Sequence, residues 1–99
     1  MVLTFPDDDE MRAIAARTIW FEPPATALDD PIRFVAYACA YADHADMCAI
    51  RSHMSDEEFR MALDRAPPGV IDARSWHYWN LVLDRYPPPP MPERRLERT

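Results

Sequence analysis

The chain is 99 residues long, 48% apolar, and carries a net charge of −6, with 17 acidic residues against 11 basic ones. A length of this order makes one domain with a modest core and little area for a deep substrate cleft, and the apolar content excludes an intrinsically disordered chain. The acidic balance argues against nucleic acid as a partner, because that needs a basic face to displace counterions from phosphates, and against docking on an anionic membrane.

The charge is unevenly placed: residues 1–30 carry a net −5, residues 31–90 a net −2 and residues 91–99 a net +1. Every basic residue is Arg and none is Lys. Guanidinium forks pair with carboxylates and stack on aromatics, which suits partner surfaces. Gly69 is the only glycine. Strand formers never alternate over a useful length, and an all-β domain needs many turn glycines, so the composition predicts an all-α fold. The expected architecture is a compact bundle of four or five short helices over residues 1–86, with an extended Pro-rich tail over 87–99. No signal-peptide pattern precedes the acidic N-terminal run, and no apolar run approaches a membrane span. A cytoplasmic location with Cys39 and Cys48 reduced is the expectation.

In chain order, Asp7-Asp8-Asp9-Glu10 precedes an apolar-periodic segment, as a helix dipole favours. This predicts a helix over 8–18 with Met11, Ile14 and Ala15 inward and Thr18-Ile19-Trp20-Phe21 as its apolar cap. Pro23-Pro24 stops any helix, so 22–29 reads as a loop. Asp30-Pro31 is an N-cap followed by a first-position proline, and a second helix over 31–42 follows. Its apolar residues lie almost all round, so it should be central. A break at Asp43 leads to a helix over 44–53 with Met47, Ile50 and Met54 at helical spacing. Ser55-Asp56-Glu57-Glu58 is a capping box and starts a helix over 56–65, with Phe59, Ala62 and Leu63 inward. Pro67-Pro68-Gly69 is a turn. Asp72 caps a last helix over 73–86, where Trp76, Trp79, Leu83 and Tyr86 recur at three- and four-residue intervals. Pro87–Pro90 ends it in a polyproline conformation, and 91–99 reads as frayed or draped over the surface.

Few residues carry a chemical signal. Cys39, His44, Cys48 and His53 are types that zinc accepts, but on one straight helix Cys39 and His53 would stand about 21 Å apart at about 1.5 Å per residue. His44 and Cys48 alone are one turn apart, and two ligands do not close a site. As a nucleophile pair they lack an oxyanion turn, and a buried, inert thiol is the commoner case. Asp43 and Asp46 read as the solvated start of a helix. Asn80, the only asparagine, lies beside the aromatic stripe of the last helix and must find partners if buried. These residues point away from an enzyme, and no cofactor or metal is expected.

The last helix is the richest segment for recognition. Trp, Tyr and Arg are the residue types of interface hot spots, and they ring this helix so that one side must face outward. His77, Tyr78, Arg85, Tyr86 and Arg74 are the candidate partner-binding residues.

The Trp20-Phe21 pair, the Ile32-x-x-Val35 helix, the acidic step Asp43/Asp46, the capped helix Ser55–Leu63 and the closing Ser75-x-x-Tyr78-Trp79 together resemble a group of small bacterial helical proteins. Some of these are antitoxin-like partners of nucleotidyltransferase toxins. The resemblance covers about two thirds of the chain, with departures at Pro67-Pro68-Gly69 and the tetraproline. It implies a non-catalytic binding protein and transfers no functional residue. The expected function is therefore a cytosolic protein-interaction module, with an antitoxin-like role as one form of it and a protein partner or self-association as its mode of action. The alternatives are a metal-binding protein or small enzyme using His44 and Cys48, and an acidic DNA-binding regulator.

Overall fold

The computed structural model describes residues 3–92, which form six α-helices and no strand. They are α1 (Asp9–Thr18), α2 (Pro24–Leu28), α3 (Pro31–Tyr41), α4 (His44–Arg51), α5 (Asp56–Asp64) and α6 (Ala73–Val82). Five of the six starts are set by a side-chain cap. Asp8 accepts from the Met11 N–H, Asp30 from Arg33, Asp43 from Asp46 and Asp72 from Ser75. Ser55 and Glu58 close the reciprocal capping box, at 3.0 and 2.8 Å. Each cap satisfies a backbone donor that the first turn leaves without an intrahelical partner.

α3 is the hub, in contact with α1, α2, α5 and α6. Phe34, Val35, Ala36, Ala38 and Cys39 are buried along it. Phe34 meets Phe5 edge-on at 5.3 Å between ring centroids, and Met11, Ile14, Ile19, Phe59, Leu63 and Leu83 close the core around it. α3 is not apolar-buried on every side, however. Tyr37 is half-buried and Tyr41 exposed, so one strip of the hub faces outward.

Two boundaries differ from the sequence reading by more than the one or two residues by which helix ends fray. Residues 22–29 are not wholly loop, because α2 occupies 24–28. Pro24 stands at its first position, where a missing N–H costs nothing and the fixed φ favours a helix. The same prolines that stop a helix from upstream thus start one downstream. The last helix ends at Val82, four residues before the predicted stop. Asp84 takes a left-handed conformation (φ 63°). Its N–H donates to the Leu81 carbonyl, and the Arg85 N–H reaches the Asn80 carbonyl at 2.8 Å. This is a Schellman-type C-cap, so backbone geometry ends the helix before any proline is reached.

α6 is tied to its neighbours by its aromatics and by Arg. Trp79 packs against Phe59 and donates its indole N–H to the Cys39 carbonyl, one of the carbonyls that the end of α3 leaves open. Arg60 of α5 donates to the Leu83 carbonyl, and Arg85 donates back to Asp64 of α5. After the cap, Trp76 donates its indole N–H to the Pro89 carbonyl at 2.8 Å, and Met91 packs against the core. The tail is therefore seated on its own domain at Pro89 and Met91. Beyond Pro92 the predicted tail lies outside the described residues.

Candidate functional site

The helix bearing His44 and Cys48 holds the two side chains as spaced: His44 Nε2 and Cys48 Sγ are 3.5 Å apart on an exposed face of α4. Cys39 is buried, and burial pushes its thiol far up, away from the reactive thiolate. Cys48, expected to be packed, is instead exposed, because Met47 and Ile50 take the buried side of this two-turn helix. Among the described residues no group of three or more His, Cys, Asp or Glu side chains is placed to hold a metal.

The carboxylates at the start of α4 depart from the solvated reading. Asp43 caps the helix, but Asp46 is buried and grips Arg17 of α1 bidentately, at 3.0 and 2.7 Å. Hydrogen bonding from the Arg17 guanidinium holds the Asp46 carboxyl below its ordinary range. A carboxylate whose folded pKa is depressed contributes stability that is present above its unfolded pKa, about 3.9, and is lost as pH falls through the folded value. Asp46→Asn is therefore expected to lower the urea midpoint at neutral pH, with the gap to wild type closing as the pH is taken below about 4. A gap that stays constant across that range would show that the ion pair contributes nothing through its charge.

The predicted partner-binding residues fall into two sets. On α6, Trp76 and Asn80 are buried, Trp79 is half-buried, and Leu83 is buried just past the end of the helix. At 100° per residue, Arg74, Tyr78, Leu81 and Val82 then share the opposite face. Tyr78 is 54% exposed and Leu81 53% exposed, with Val82 and Arg74 also exposed. His77 and Tyr86 meet edge-on at 6.0 Å beside this face, both open to solvent. Arg85 is placed otherwise. Its Nε donates to Asn80 Oδ1 and its Nη1 to Asp64, so its guanidinium is held within the domain.

Comparison with models of known protein families, with curated proteins and with solved structures finds no match. The surfaces are therefore read from their own geometry.

A second exposed surface was not foreseen. Of the predicted apolar cap on α1, only Thr18 and Ile19 are buried; Trp20 and Phe21 turn outward. They meet Tyr37 and Tyr41 of α3 in a continuous row. Between ring centroids, Trp20 and Phe21 are 5.2 Å apart, Phe21 and Tyr37 5.8 Å, and Tyr37 and Tyr41 6.1 Å with 28° between their planes. The signal was present as two tyrosines one turn apart on α3, each an apolar body with a polar tip that prefers a half-wet position. In the same way, the buried stripe of α6 already implied that Leu81 and Val82 stand outside.

Proposed function

We propose that this chain is a non-catalytic protein-interaction module whose contact face is the outward side of α6. The observation that carries this reading is the stripe Tyr78, Leu81 and Val82, apolar side chains at i, i+3 and i+4 that stay exposed on a helix whose other side is already in the core. A helix apolar on two sides has one side more than its own domain uses, and such a face suits another helix or groove. Tyr78, Tyr86 and Arg74 supply hot-spot residue types at its edge. Both cysteines are free, in keeping with action in a reducing cytoplasm, and no helix among the described residues is long and apolar enough to cross a membrane. An antitoxin-like role is one form of this reading, in which the acidic N-terminal segment covers a basic groove on the partner.

Arg85 and Asn80 are unsuitable test positions, because they hold the end of α6. Tyr78→Glu combined with Leu81→Glu alters only exposed side chains. Wild type and the double variant, shown by circular dichroism to melt within about 2 °C of each other, are to be compared by affinity capture and by sedimentation. Loss of partner recovery or of self-association in the double variant is expected. Equal recovery of every partner and equal sedimentation would overturn the α6 face.

A further inference from the structure

The row Trp20–Phe21–Tyr37–Tyr41 lines a cavity of about 290 Å³ with Thr18 as its remaining wall. The Thr18 hydroxyl is occupied, donating to the Ile14 carbonyl, so the cavity offers ring faces and little hydrogen bonding from its floor. The middle of the row already carries a cation. The Arg33 guanidinium lies 5.8 Å from the Phe21 ring centroid and 5.2 Å from that of Tyr37, within the range of a cation–π contact. Arg33, Tyr37 and Tyr41 follow one another at four-residue spacing along α3, so the row continues one turn beyond the place that Arg33 fills. Tyr41 there is 69% exposed; Trp20, at the other end of the row, is 78% exposed, and both line the cavity.

The surrounding charges decide what fits. Arg33 is neutralised by Glu22 and Arg17 by Asp46. Asp43, two residues past Tyr41, is exposed and in no ion pair among the described residues. The chain as a whole carries −6. The cavity thus offers electron-rich ring faces with no charged residue in its lining, on a chain of negative net charge, and its volume suits one long side chain. A guanidinium is planar, stacks on ring faces and is more weakly hydrated than an ammonium.

We infer that this cavity is a receptor for an arginine side chain of a partner segment, which stacks on Tyr41 and Trp20 as Arg33 stacks on Phe21 and Tyr37. This rests on the interaction-module reading but on a different surface from the α6 face. The test titrates the full chain with a short capped glycine–serine peptide bearing one arginine, with the same peptide bearing citrulline, and with a capped tetraproline. The readout is the indole N–H signal of Trp20, assigned through Trp20→Ala. Citrulline keeps the planar shape and loses the charge, so it separates cation recognition from apolar contact.

The arginine peptide is expected to shift the signal saturably, at least about tenfold more tightly than citrulline and less tightly as salt is raised. Tyr41→Ala, which changes an exposed side chain, is expected to weaken it at least about fivefold with the melting temperature unchanged. Binding of citrulline or tetraproline as tight as that of arginine, no saturable shift with the arginine peptide, or full affinity in Tyr41→Ala would each overturn the inference. None of these titrations involves Tyr78 or Leu81, so the groove and the α6 face fail separately.

Discussion

Phe34→Ala is expected to destabilise the domain by about 3–5 kcal/mol, the usual cost of emptying a fully buried aromatic site. Phe34 has no exposed surface, and it sits on the one helix that touches α1, α2, α5 and α6. Its ring also forms an edge-on pair with Phe5, so the N-terminal segment loses its anchor with it. Domains of this kind hold only about 5–15 kcal/mol in total, and each kcal/mol moves the melting temperature by about 4–8 °C in a chain near this size. The variant should therefore be partly unfolded at ambient temperature or melt far below wild type in circular dichroism. Tyr41→Ala on the same helix should stay within about 0.5 kcal/mol, because Tyr41 stands outside the core. A Phe34→Ala cost below about 1 kcal/mol would mean that the neighbouring helices close the void, and that α3 is not the rigid hub described above.

Asn80→Ala should cost about 2–3 kcal/mol, although it removes few atoms, because it breaks a buried hydrogen-bonded junction to a charged group. The Asn80 side chain has no exposed surface. Its amide donates to the Trp76 carbonyl at 2.8 Å, and its oxygen accepts from Arg85 Nε at 2.9 Å. Arg85 Nη2 is already buried without a partner among the described residues. Removing the acceptor from Nε leaves the guanidinium with Asp64 alone. In most Schellman caps the residue after the left-handed position touches the last turn through an apolar contact; here Arg85 and Asn80 meet by a hydrogen bond in the same place. The check is a double-mutant cycle by urea denaturation. In an Arg85→Met background Asn80→Ala should cost less than half as much. An equal cost in both backgrounds would assign the effect to packing alone.

Much of the fold is legible in local chemistry. Asp30-Pro31 and the Ser55–Glu58 box announce helix starts because a cap acts within three residues, and the structure places α3 and α5 at those starts. The inward residues of α1 and α5 follow from periodicity alone. What escaped depends on more than local sequence. Pro24 can stop or start a helix, and only its neighbours decide which. Asp84 takes its left-handed conformation without the glycine that usually marks one, so the sequence points to the prolines as the end of α6. Asp46 reads as a solvated helix-start acid until Arg17, 29 residues earlier, is folded against it. The outward face of α6 is legible in part: Arg74 and Tyr78 follow from the buried stripe opposite, but the sequence reading does not name Leu81 and Val82, and Arg85 is drawn inward by Asn80 and Asp64. The aromatic row is not legible, because it joins a turn after α1 to the side of α3, and no single helical period contains both.

The corner at Leu83–Arg85 has a consequence for how this chain can vary. Because backbone geometry closes α6 there, the tetraproline is not needed as a stop signal. Helix length and tail composition are thus set independently. The main visible constraint on the tail is its seat at Trp76 and the core, where Pro89 offers a backbone carbonyl, which any residue type would supply, and Met91 an apolar side chain. Substitutions among the prolines are therefore not expected to lengthen the helix. Residues 87–92 can thus differ in composition while α6 keeps its length.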